Sequence, residues 1–118
     1  MSATERAKGA RFEREIVREL KAKGFNADRT SNGKVQAARG DISGVAGLSI
    51  EAKRCETITL PAWLRQAVAD APEGTAPSVV FRRSNEKAWA VVPWPWLLDV
   101  LARLADAEAA EDEERGRQ

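Results

Sequence analysis

The segment GDISGVAGLSIEAKR, residues 40–54, carries an acid and a base, Glu51 and Lys53, either side of Ala52. In a β-strand alternate residues share a face, so these two side chains would lie side by side, about 7 Å apart along the chain. On its own this pattern also fits a solvent-facing ion pair at a strand end, which contributes little. Asp41 adds a second carboxylate in the same segment. A two-residue loop at Ala46-Gly47 would set Asp41 opposite Ala52, on the wrong face. A loop of odd length, or a bulge at Gly44, would set it opposite Glu51. Gly44 and Gly47 make such an irregularity cheap, and we expect it. Paired carboxylates repel and persist best where a divalent cation neutralises them. Mg²⁺ commonly takes one or two carboxylates, completed by water and phosphate oxygens.

These groups need strands to hold them and helices to cover the strands. Phe12, Ile16 and Leu20, with Val17, recur at helical spacing from about Thr4 to a stop at Gly24. Phe25 to Arg29 reads as a short strand, and TSNGKVQAARG as a basic, glycine-punctuated loop. Asp41 to Val45 and Leu48 to Lys53 read as two strands, with Leu48, Ile50 and Ala52 facing the core and Ser49, Glu51 and Lys53 facing away. A second helix runs from Thr59-Pro61 to Pro72. SVVFRR and AWAVVP follow as strands around a turn at residues 84–87, and Leu97, Leu98, Leu101 and Leu104 mark a third helix. The order is helix, three strands, helix, two strands, helix, which indicates an α/β fold with a mixed sheet flanked by helices. Residues 1–104 are expected to form a single domain, and residues 105–118 an acidic tail that extends the last helix or frays.

Glu13 lies on the apolar stripe of the first helix, three residues before Ile16, and an acid there needs a partner. It either sits at the edge of the stripe, paired with an arginine, or points along the helix at the carboxylate pair. Arg11, Arg14 and Arg18 occupy adjoining faces, where they would meet phosphate.

Composition narrows the chemistry further. The 118 residues include no histidine, which removes zinc fingers, serine-protease triads and nucleases with a histidine base. Any metal should be hard and oxygen-bound. Residues 1–40 carry ten Lys/Arg against five Asp/Glu, whereas residues 105–118 carry six acids against two arginines. A basic first third suggests a polyanion-binding face. No apolar run is long enough to span a bilayer, the first residues lack the apolar centre of a signal peptide, and the single cysteine, Cys55, fits a reducing cytoplasm.

KGARFERE (8–15), a basic glycine-containing loop, Gly40-Asp41 and IEAK (50–53), in that order, resemble the PD-(D/E)XK nuclease superfamily, above all archaeal-type Holliday-junction resolvases and their phage relatives. The resemblance covers about the first seventy residues. It implies a restriction-endonuclease-like mixed sheet, with Glu13 as the helix glutamate and Arg14 beside it. It also implies Asp41 and Glu51 as metal-binding acids, Lys53 as the catalytic lysine and Arg29 as a basic residue after the first strand. Gly40 stands where proline often precedes the acid.

The implied activity is a Mg²⁺-dependent endonuclease acting on branched DNA, with Mn²⁺ able to substitute. Phosphodiester hydrolysis needs an activated water and a means of holding the charge that builds on phosphorus oxygens. Cations on Asp41, Glu51 and the Ala52 carbonyl, with Glu13 holding a further ion or its waters, would supply both. Lys53 would orient or deprotonate the water and steady the transition state. Arg14, Arg29, Lys34, Arg39 and Arg54 would grip the backbone without reading bases. Paired cuts at a four-way junction imply a homodimer. Two other readings stay open: a PD-(D/E)XK DNase acting on ordinary duplex, and a DNA-binding domain of the same fold that does not cut.

Several residues read equally well as structure. Gln66, mid-helix, either approaches the site or is solvated. Trp63, Trp89, Trp94 and Trp96 read as packing or subunit contact before base stacking. Cys55 has no visible partner for nucleophilic chemistry.

Overall fold

The computed structural model describes residues 2–30, 40–45 and 47–117. It contains α1 (Ala3–Ala22), β1 (Asp28–Arg29), β2 (Ile42–Ser43), β3 (Leu48–Arg54), α2 (Leu60–Asp70), β4 (Ala76–Arg82), β5 (Trp89–Val91) and α3 (Trp94–Gly116). Ser2 starts α1, its side chain accepting the Glu5 N–H at 3.1 Å. The helix ends where Gly24, at φ +95°, turns the chain back so that the Phe25 N–H reaches the Leu20 carbonyl at 3.1 Å. This glycine-closed end satisfies carbonyls that the last turn would otherwise leave free.

The strands form one sheet in the order β1-β2-β3-β4-β5. β3 and β4 run parallel over seven paired residues, and α2 is the crossover such a pair requires. The other neighbours are antiparallel. Phe12, Ile16 and Val17 of α1 bury one face of the sheet against Ile42 and Ile50. Trp63 and Ala67 of α2 bury the other face against Val79, with the Trp63 ring tilted on Phe81 at 5.6 Å. Arg82 ties α1 to β4, pairing with Glu15 at 3.0 Å and lying over the Phe12 ring.

Ser49 and Glu51 do not face away from the core; they are 5% and 1% exposed. β3 lies between β2 and β4, and α2 covers the face that the local sequence leaves looking solvated. The strand is buried on both sides, as strands in parallel pairing usually are. The first strand is also shorter than expected, pairing only at Asp28 and Arg29.

α3 differs from the other two helices. It runs unbroken from Trp94 through the acidic residues to Gly116 and contains no buried residue.

Candidate active site

The register of β2 on β3 sets the site. Ile42 pairs with Ile50, so one step further Asp41 stands opposite Glu51. This is the odd-length connection expected from Gly44 and Gly47, which take φ +93° and +79°. A glycine is also needed at residue 40, where a Cβ would lie 2.5 Å from the Ser49 hydroxyl. Thr30 fixes the entry to Asp41: its N–H donates to the Asp41 carbonyl at 3.0 Å and its hydroxyl to that of Gly40 at 2.6 Å.

Asp41 and Glu51 form a tight acidic pair. Asp41 Oδ2 accepts the Ala52 N–H at 2.8 Å. Glu51 Oε1 is buried with no hydrogen-bond partner among the described residues. Burial first, then the Asp41 carboxylate beside it, push the Glu51 carboxyl up to about 8; Asp70 adds to the shift and Lys53 opposes it. Glu51 therefore keeps its proton at neutral pH.

Three further groups flank the pair. Glu13 accepts from Arg29 Nε at 2.9 Å; burial raises its pKa and the Arg29 hydrogen bond opposes that rise, with Asp41 close enough to be felt. Lys53 Nζ donates to Gln66 Oε1 at 2.7 Å. Asp70, one helical turn beyond Gln66 on α2, faces Glu51 closely enough to raise it. A cleft of about 750 Å³ opens beside Asp41, with Lys8, Glu13, Arg29, Lys53 and Arg54 also in its lining. The structure thus brings Glu13, Asp41, Glu51, Ala52, Lys53 and Gln66 to one place.

The basic residues are distributed differently. Arg14 is exposed on α1. Arg29 is engaged by Glu13. Arg54 is engaged by Glu56 at 2.9 Å and by the Ser84 hydroxyl at 2.8 Å, which tie the end of β3 to the turn after β4. Lys34 and Arg39 lie outside the described residues. Sequence reasoning missed Asp70 and Thr30. The spacing of Gln66 and Asp70, four apart on one helix, was the available signal for the first.

The donor set fits a hard divalent cation. A buried carboxylate oxygen without a partner, beside a second carboxylate, is what such an ion would complete. Among the described residues no three acidic or thiol side chains form a ready metal cage, so the fold supplies a pair, with Glu13 set apart against Arg29.

This arrangement has a pH signature. Because the folded pKa of Glu51 stands near 8, above the ordinary 4.5, the folded state keeps a proton that the unfolded state gives up. Without divalent ions, thermal stability should be greatest at low pH on this account and fall as pH rises from 4.5 to about 8. Glu51→Gln should flatten that decline, and added Mg²⁺ should lessen it. Melting curves across this range check it, and an unchanged slope in Glu51→Gln would contradict it.

The family model described as archaeal Holliday junction resolvase (hjc) matches residues 4–62, half of the chain. That span holds Glu13, Asp41, Glu51 and Lys53 and stops before Gln66, Asp70 and α3. Among solved structures, Hjc, a Holliday junction resolvase from the archaeal hyperthermophile Archaeoglobus fulgidus, is 25% identical with a TM-score of 0.53. That likeness covers 71% of this chain and 76% of the other. No curated protein matches.

Proposed function

The chain belongs to the archaeal Holliday junction resolvase family, and from that premise we propose that it is a structure-selective endonuclease that hydrolyses phosphodiester bonds at branched DNA. Its five-stranded mixed sheet flanked by helices is the resolvase-type α/β fold. The observation that carries the reading is the Asp41–Glu51 pair: Glu51 is buried with a partnerless oxygen, and Asp41 lines a cleft that also holds Lys53. Asp41, Glu51 and the Ala52 main chain are the groups that would hold a divalent cation, with Glu13 at its flank; Mg²⁺ is the expected ion and Mn²⁺ a substitute. When bound, that ion supplies Lewis-acid stabilisation of the phosphate and a more acidic water.

The chain's own groups do the rest. Hydrolysis forms a bond from water oxygen to phosphorus and breaks one bridging P–O bond, so charge builds on the phosphate oxygens and the leaving oxygen needs a proton. The Lys53 ammonium, aimed by Gln66, is the cation placed to stabilise that charge and to orient the water. Arg29 braces Glu13 against the cleft wall. Arg14 is the exposed α1 cation offered to the backbone, and Lys34, Arg39 and Arg54 belong to the same basic set. We propose shape, not base readout, as the basis of recognition. Residues 1–104 serve as the nuclease unit, acting in the cytoplasm. Symmetric cuts across a junction require two such units, hence a homodimer.

The test is a labelled four-way junction against a linear duplex of the same sequence, in Mg²⁺ and in Mn²⁺. Paired symmetric nicks confined to the junction are the expected result. Equal cutting of the duplex would replace the resolvase reading with a general DNase, and salt-sensitive binding without cutting would leave a binding domain. Among the described residues no helix is long and apolar enough to cross a membrane.

A further inference from the structure

We infer that α3 is the seam between two copies of this chain, and that the two helices meet antiparallel. The inference deepens the paired-cut reading above, from which it takes the need for a second copy. Trp96, Leu97 and Val100 are half-buried on the side of α3 nearer the sheet, where Trp96 lies by Gly47. The opposite stripe is bare: Trp94 is 62% exposed, Leu98 46% and Leu101 45%. Leu104, on its flank, is 52% exposed. Among the described residues no other helix or strand packs closely along α3. A monomer gains nothing from a helix of this length whose leucines meet water, since an amphipathic helix draws its stability from a covered face.

The spacing of the bare stripe selects the occupant. Trp94, Leu98, Leu101 and Ala105 follow one another at intervals of four, three and four, the repeat of a two-helix seam. The same repeat then reaches Glu108 and Asp112, so the apolar stretch ends after three turns. A short stripe of this kind is self-complementary in one direction. Antiparallel, Leu98 meets the partner's Leu101, and Trp94 meets the partner's Ala105, the largest side chain against the smallest.

Charge excludes the other direction. Between Asp106 and Glu114 each chain carries six acids and no base. Parallel helices would lay those two runs side by side, where like charges destabilise. Antiparallel helices send them to opposite ends. Arg115, paired with Asp112, offsets little of this.

The experiment is mass determination by light scattering and sedimentation, at tens of micromolar protein. The full chain should behave as a dimer, and Leu101→Glu as a monomer with unchanged helix content, because Leu101 is 45% exposed and lies outside the core. Val68→Glu, at an exposed apolar position on α2, should stay dimeric. In a Cys55→Ser background, Ala105→Cys should not cross-link to itself. A monomeric parent chain, a dimer that survives Leu101→Glu, or a dimer broken by Val68→Glu would overturn the seam. Rapid disulfide formation by Ala105→Cys would overturn the antiparallel arrangement. These readouts are independent of cutting. A dimer lost in Leu101→Glu with no nuclease activity in the parent would sink the nuclease reading alone, and paired cuts by a monomeric parent would sink the seam alone.

Discussion

Asp41→Asn is expected to lower the single-turnover rate of junction cleavage by about 10³-fold or more while leaving junction affinity within about twofold. The substitution is nearly isosteric, and an amide oxygen can still accept the Ala52 N–H that Asp41 Oδ2 now accepts at 2.8 Å. The strand pairing should therefore survive. The charge does not. Removing it leaves Glu51 raised by burial and by Asp70, without the Asp41 carboxylate and without the second ligand a cation needs. Affinity for a polyanion should hold or rise slightly, because one negative charge has left the cleft.

Lys53→Ala should lose about 10²- to 10³-fold in the same assay by a different route. It leaves the acidic pair intact, so titration calorimetry should show Mn²⁺ binding retained in Lys53→Ala and lost in Asp41→Asn. Cleavage within about tenfold of the parent in either variant would remove that residue from the machinery. Loss of cation binding in both would mean the ammonium matters for assembling the pair and not for the phosphate.

The acidic pair was readable in the sequence because strand parity leaves few choices. Given two strands around Gly44 and Gly47, Asp41 falls opposite either Ala52 or Glu51, and only the second gives the charges a purpose. The burial of Glu51 was not readable, because it depends on β4. That strand reaches β3 only after α2 has crossed over, and nothing near residue 51 announces that Trp63 and Ala67 will cover that face. Gln66 and Asp70 were hidden for a related reason. On an amphipathic helix, polar residues outside the apolar stripe look alike, and only the tertiary fold shows which of them reach β3. α3 misled in the opposite sense. Its leucine spacing announces a buried face, yet Leu98 and Leu101 stay 46% and 45% exposed and α3 contains no buried residue.

Gly44→Ala is expected to cost about 3 to 5 kcal/mol, a large share of the roughly 5 to 15 kcal/mol that holds an ordinary domain folded. Two penalties add at this residue. Its φ of +93° lies where an L side chain is strained. The β1–β2 ladder, carried one step past Asp28 and Ser43, also brings Ala27 against it, so a Cβ would collide with the Asn26 carbonyl oxygen and lie 2.8 Å from the Ala27 Cα. Those atoms are backbone and cannot swing away. Gly24 separates the two penalties, because it has φ +95° but nothing within 4 Å of where a Cβ would stand. Gly24→Ala should therefore cost only about 1 kcal/mol, the strain alone. Urea titration of both variants measures the difference, and equal midpoints would show that the close approach at Gly44 carries no energy. Any Gly44→Ala chain that escapes the collision by a one-residue slip of β2 would place Asp41 opposite Ala52. Such a protein could stay folded, but Glu51 would lose its partner and junction cutting would vanish with it. The same glycine thus sets both the packing of β1 on β2 and the meeting of the two acids.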